Sequence, residues 1–105
     1  MTSKIKVAVC GAMGKMGREA VRTIIGDEEL QLTGGVDVRG VGLDLGVLVG
    51  SPPLGVTISS DLEGLLKTGG VEVLVDFTNP QAVRRNLRTS LENRVYSVVG
   101  TTGLT

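Results

Sequence analysis

Short apolar runs and stretches of helical periodicity take turns along this chain. Lys4 to Cys10 reads K-I-K-V-A-V-C, and its β-branched residues followed at once by glycine mark a buried strand. From Gly14 to Ile25 the apolar positions Met16, Ala20, Val21, Ile24 and Ile25 recur at helical spacing, with Gly26 where the helix would stop. Leu30 to Asp37 is a second strand that ends on an acid. Val38 to Leu54 is glycine-rich and carries Pro52-Pro53, so it reads as loop with one short turn of helix near Asp44 to Leu48. Val56 to Ser59 makes a short third strand. Asp61 suits the N-cap of a helix over Leu62 to Lys67, closed by Gly69-Gly70. Val71 to Phe77, V-E-V-L-V-D-F, is apolar enough for a sheet covered on both faces. Pro80 then opens a helix running to about Glu92, and Tyr96 to Val99 is a fifth strand before the turn Gly100-Thr101-Thr102-Gly103.

Strands separated by helices predict an α/β fold with a doubly wound parallel sheet. Right-handed crossovers give the strand order 3-2-1-4-5 in a single domain over residues 1–105, without repeat or linker. In that order strand five lies at an edge. No charge or proline interrupts Y-S-V-V, so self-association through this edge is expected.

Composition narrows the classes. Aromatic residues are only 2% of a chain that is 41% hydrophobic, so the core must be aliphatic. The 16 glycines fall singly or in pairs between apolar runs, as turn punctuation does. Eleven basic and 11 acidic residues leave no net charge, against a nucleic-acid partner, and Arg84, Arg85 and Arg88 read as a solvated helix face. A lone Cys10 fits a reducing compartment. Neither a signal peptide nor a membrane-length apolar run is visible, so a cytoplasmic protein without membrane contact is expected. The chain has no histidine, which removes the commonest general acid/base. No metal site is expected.

The chemistry concentrates in V-A-V-C-G-A-M-G-K-M-G-R, Val7 to Arg18. Glycines at 11, 14 and 17 sit between a strand and a helix. The first permits a tight turn, the second lets backbone approach a pyrophosphate, and the third lets helix and strand pack closely. The helix N-terminus then faces the phosphates. The loop is one residue longer than the usual G-x-G-x-x-G and places Met13 at its third position. Asp37 closes the second strand 20 residues beyond Gly17, where an acid binds the ribose hydroxyls. Asp37 favours NADH by repelling a 2′-phosphate; Arg39, helped by Lys15, favours NADPH. Ligands of such sheets lie beyond the carboxyl ends of the strands, which puts Phe77 and Thr78 near a dinucleotide, although Thr-Asn-Pro is also a plain helix cap.

Three segments together, G-A-M-G-K-M-G-R at 11–18, V-D-F-T-N-P at 75–80 and V-V-G-T-T-G-L at 98–104, resemble the dihydrodipicolinate reductase (4-hydroxy-tetrahydrodipicolinate reductase) family. Asp44-Leu45-Gly46, Gly50 and Gly55 match its loop pattern, and the resemblance spans essentially the whole chain. It implies an NAD(P)-binding Rossmann domain and an oxidoreductase using NADH or NADPH. The family reduces a cyclic dihydrodipicolinate-type intermediate by hydride transfer in diaminopimelate and lysine biosynthesis. The cofactor contacts it implies fall on Gly11, Ala12, Met13, Gly14, Lys15, Met16, Gly17, Asp37, Arg39, Phe77, Thr78, Gly100, Thr101 and Thr102. Thr102 would also touch substrate. In the family a basic residue can directly follow the acid; here Val38 stands between Asp37 and Arg39.

The family's substrate and tetramerisation domain follows G-T-T-G and carries an E-[LI]-H-H-x-x-K segment that protonates and binds the substrate. The chain is expected to be truncated before that domain, to contain no catalytic residue, and to bind cofactor without turnover. A small-molecule substrate would be a partner only with the missing domain. A stand-alone dinucleotide-binding or redox-sensing module remains the alternative. A homoserine or aspartate dehydrogenase is disfavoured by the D-F-T-x-P and G-T-T-G turns.

Overall fold

The computed structural model describes residues 4–68 and 70–100. Five strands and four helices alternate: β1 (Ile5–Cys10), α1 (Lys15–Ile25), β2 (Leu30–Val36), α2 (Leu45–Leu48), β3 (Ile58–Ser59), α3 (Leu62–Thr68), β4 (Val73–Asp76), α4 (Pro80–Glu92) and β5 (Tyr96–Val99). They form one five-stranded sheet of order β3-β2-β1-β4-β5, in which every strand pair is parallel. This is the doubly wound α/β arrangement that the alternation of elements predicts.

Strand β1 is central because both of its faces are apolar. Val7 and Val9 point into a core formed with Val21 and Ile24 of α1, Leu32, Leu45 and Ile58. Ala8 and Cys10 point the other way, into a core with Leu66, Val71, Leu74 and Val95. Successive strand residues face opposite sides, so an unbroken apolar run serves two helical layers at once. Both cores are aliphatic, with Phe77 packed at the margin of the first. Met16 departs from the expected apolar stripe. It is exposed in the first turn of α1, whose buried positions are Gly17, Val21 and Ile24.

The register of β2 contains one irregularity. Val7 pairs with Leu32 but Ala8 with Gly34, so Thr33 is the extra residue, and its hydroxyl donates to the Val7 carbonyl at 3.3 Å. The bulge leaves Gly34 and Gly35 beside β1, where side chains would collide with Leu65 and Leu45 respectively. These two residues therefore let the α3 and α2 sides close on opposite faces of the sheet. Strand β3 is only two residues long, shorter than the apolar pattern from Val56 suggests. Thr57 is drawn into an antiparallel bridge with Asp44 instead.

Asp44 organises the glycine-rich crossing between β2 and β3. Its carboxylate caps α2, accepting from the N–H groups of Gly46 at 2.8 Å and Val47 at 3.2 Å. It also accepts from Leu54 at 3.1 Å and Gly55 at 2.8 Å, which ties the Pro52-Pro53 segment back onto the cap. These donors, the Leu54 N–H foremost, hold its carboxyl below the usual range against a smaller opposing effect of burial. A folded pKa below the unfolded value stabilises the fold above about pH 4, and that contribution is lost as pH falls through the folded pKa. Asp44→Ala should therefore lower the thermal midpoint at pH 7, and the gap from the parent should narrow towards pH 3. Melting curves at the two pH values check this; a gap independent of pH would contradict it.

Candidate dinucleotide cleft

The turn leaving β1 is held by the strand beside it. Gly11 and Ala12 donate to the Val36 carbonyl at 2.8 and 3.3 Å, and Gly14 donates to the Gly11 carbonyl at 3.1 Å. Gly11 adopts φ +79°, a conformation that glycine alone reaches without strain. The third glycine works by its lack of volume: a Cβ on Gly17 would lie 2.0 Å from the Gly11 carbonyl oxygen. Helix α1 thus rests directly on the turn. Its N-cap is Gly14, no side chain caps it, and its first turn carries no acid. Lys15 and Arg18 are exposed beside it. Uncapped N–H groups at the positive end of a helix form a cradle for anions.

Asp37 follows the end of β2, and its side chain is only 8% exposed. One carboxylate oxygen accepts from the Met13 N–H at 3.0 Å and the other from the Arg39 N–H at 3.0 Å. Val38 is turned outward between them. The bend brings the Arg39 guanidinium back, with Nε 3.6 Å from Asp37. The residue intervening between acid and base therefore does not separate their side chains. Each carboxylate oxygen retains acceptor capacity for a further donor, such as a ribose hydroxyl.

The second wall is built by the turn from β4 into α4. Asp76 is fully buried, yet every oxygen is met: Thr78 donates its N–H at 2.9 Å and its hydroxyl at 2.5 Å, and Asn86 donates its amide at 2.9 Å. Buried carboxylates are tolerated when bonded in this way. Asn79 caps α4 through the Ala82 N–H at 2.9 Å, and Pro80 occupies its first turn. Phe77 donates its N–H to the Cys10 carbonyl at 3.1 Å, which fixes this turn against the β1 exit. Gly100 packs on the Phe77 ring so closely that a Cβ there would lie 2.2 Å from it, and its N–H donates to the Asp76 carbonyl at 2.8 Å.

Between the two walls lies a cleft of about 650 Å3 at the carboxyl ends of β1, β2 and β4. Of the residues singled out from sequence, Gly11, Gly14, Asp37, Arg39, Phe77 and Thr78 line it. Ala12 and Gly17 are buried beneath the loop, Met13 contributes its N–H to Asp37, and Lys15 and Met16 are exposed on the first turn of α1. Gly100 supports Phe77 from behind. Thr101 and Thr102 lie outside the described residues.

Ser60, Leu62, Asn79, Ala82, Arg85 and Asn86 also line the cleft. The i, i+3, i+4 spacing of Ala82, Arg85 and Asn86 was the available signal, since it puts them on one face of α4. Arg85 is exposed, as expected of a solvated helix face, and it also borders the cleft. Cys10 lines the floor of the cleft. Burial first, then the carboxylates of Asp76 and Asp37, push its thiol well up, so it stays protonated and is a poor nucleophile. Among the described residues no group of three or more His, Cys, Asp or Glu side chains is placed to hold a metal. No helix there is long and apolar enough to cross a membrane.

The family model for the N-terminus of dihydrodipicolinate reductase matches residues 5–105. The 4-hydroxy-tetrahydrodipicolinate reductase of Syntrophomonas wolfei is 46% identical over 104 residues, covering 99% of this chain and 39% of that protein. The enzyme of the same name from Desulfitobacterium hafniense is 50% identical over 102 residues, covering 96% of this chain and 38% of its own length. A solved dipicolinate-bound dihydrodipicolinate reductase from Paenisporosarcina superposes with a TM-score of 0.78 at 36% identity, covering 97% of this chain and 39% of that one. An amine dehydrogenase from Mycobacterium smegmatis superposes with a TM-score of 0.79 at 29% identity, over 92% of this chain and 30% of that one. The chain therefore spans about two fifths of the length of the curated relatives it matches. With a glycine turn, an acid-closed second strand and a D-F-T turn folded around one cleft, and with relatives named as reductases throughout its length, the chain belongs to the dihydrodipicolinate reductase N-terminal family.

Proposed function

We propose that this chain is the nicotinamide-dinucleotide-binding domain of a cytoplasmic 4-hydroxy-tetrahydrodipicolinate reductase, and that it binds NADH or NADPH in the cleft. The observation that carries the reading is the uncapped N-terminus of α1, reached by side-chain-free backbone and set beside Asp37. The chain's own groups fit the two ends of such a ligand. The α1 cradle takes the pyrophosphate, with Lys15 and Arg18 adding positive charge, and Asp37 accepts the adenosine ribose hydroxyls. Phe77 and Thr78 close the opposite side near the β1 exit, with Thr101 and Thr102 as further cofactor contacts and Thr102 also meeting substrate. When bound, the cofactor supplies the hydride. In the whole protein that hydride reduces the cyclic dihydrodipicolinate-type intermediate of diaminopimelate and lysine biosynthesis. The chain itself contains no histidine to supply a proton, so binding without turnover is expected of it.

Strand β5 supports a second proposal, self-association with another copy. Among the described residues it pairs only with β4, and Tyr96 and Val98, on one face of the strand, are 79% and 55% exposed. A free apolar edge is a template for another strand.

Gly14 and Gly17 separate binding from folding. A Cβ on Gly14 would meet the Gly11 carbonyl oxygen at an ordinary 3.4 Å, whereas one on Gly17 would overlap it. Gly14→Val should abolish NADH and NADPH binding in calorimetry while circular dichroism stays unchanged. Gly17→Ala should cost about 1–3 kcal/mol of stability. No heat from the parent chain with either dinucleotide at millimolar concentration would defeat the assignment.

Asp37→Ala should weaken NADH by about tenfold or more, the loss of charged hydrogen bonds, and weaken NADPH less because repulsion of the 2′-phosphate goes with the carboxylate. Equal losses, or none, would remove Asp37 from the ribose site.

Val98→Lys should shift the chain towards monomer, because a charge on this face opposes strand addition. Sedimentation that finds a monomer at high micromolar concentration in both proteins would rule out association through β5.

A further inference from the structure

Arg85 lines the cleft, and the dinucleotide reading above gives it no role. It is one of three arginines on α4, but Arg84 and Arg88 do not line the cleft. Its position is set from below: Asn86, next to it, is bonded to the buried Asp76 carboxylate at 2.9 Å, which fixes this turn of α4 over the end of β4. Across the cleft stand Asp37 and Arg39, with Ser60 after β3 on the same side.

The charges at this end do not balance. Asp37 already has its counter-charge in Arg39, at 3.6 Å, and two backbone N–H donors besides. Arg85 has no carboxylate within 4.0 Å among the described residues. A neutral adenosine uses Asp37 and leaves Arg85 without a partner. An adenosine bearing a 2′-phosphate brings an anion of charge near −2 to the same place, where Asp37 alone would repel it. Guanidinium groups pair with phosphate through charge-assisted, often bidentate bonds, and two of them outweigh one carboxylate. The Ser60 hydroxyl adds a neutral donor.

We infer that Arg85 is a specificity-determining residue, which together with Arg39 forms a two-sided guanidinium clamp for the 2′-phosphate of NADPH. The clamp offsets Asp37, so the same cleft accepts both cofactors. The inference rests on the dinucleotide reading, but it fails separately from it.

The test uses calorimetric titration of the chain with NADH, NADPH, 5′-AMP and 2′,5′-ADP, for the parent and for Arg85→Gln. Arg85 is exposed, so the substitution leaves the cores untouched. The variant should lose about tenfold in affinity for NADPH and for 2′,5′-ADP, with NADH and 5′-AMP within about twofold of the parent. The salt dependence of NADPH binding should flatten in the variant, because one ion contact is gone. Equal weakening of all four ligands would mean that Arg85 stacks on the adenine ring, and would overturn the clamp while leaving the cleft assignment standing. Unchanged binding of all four would overturn it too. A parent chain that binds none of them would overturn the dinucleotide reading itself, and the clamp with it.

Discussion

Helix α1 lies against the exit of β1 because Gly17 has no side chain, and the geometry of the cleft follows from that contact. A single methyl group at this position would overlap the Gly11 carbonyl oxygen at 2.0 Å, so the helix would have to move off the turn. With α1 seated, its first-turn N–H groups point over the carboxyl edge of the sheet at the place where strand order reverses between β1 and β4. Gly11, at φ +79°, then turns the chain sharply enough for Phe77 to bond the Cys10 carbonyl. A steric requirement of two glycines thus brings three strand ends together around one space.

The polar groups of the cleft have structural duties as well as chemical ones. Asp76 is removed from water completely, and its bonds to Thr78 and Asn86 hold a turn to a helix ten residues further along. Asp37 supports the Met13 N–H and turns Arg39 back on itself. A carboxylate that already accepts from the chain is preorganised for a further donor, since little of its freedom remains to be lost on binding. The same engagement lowers its effective charge towards an incoming phosphate. The acid that closes β2 and the architecture of the glycine turn are therefore coupled through one side chain.

Asp44 plays the corresponding part away from the cleft. Its carboxylate gathers N–H groups from Gly46, Val47, Leu54 and Gly55, so a long crossing with few buried apolar residues keeps a defined path. Leu45, fully buried behind it, lies against Gly35 in the same core as Ala12. The crossing is thereby tied into the core beneath the glycine turn.

Much of this was legible in the order of residues alone. An apolar run ending in glycine, a periodic stretch after it and an acid 20 residues beyond Gly17 determine a strand, a helix and a carboxylate at the end of the second strand from local rules. Strand order followed from handedness, and α4 and β5 have the limits their end signals predict, because proline and glycine act within a residue or two. The Thr33 bulge is invisible in sequence, since it is a compromise between strand pairing and the two helices that press on Gly34 and Gly35. The exposure of Met16 has a similar origin: Gly17, not the larger residue beside it, is what the β1 exit admits. The role of Arg85 was hidden most completely. A run of arginines on a helix reads as solvated, and Arg85 is exposed, but only the fold brings it to the same cleft as Asp37 and Arg39. Local chemistry determined the elements and the glycine turn after β1; which side chains from distant segments share the cleft was decided by packing, because the walls of the cleft belong to segments that meet only when the sheet is assembled.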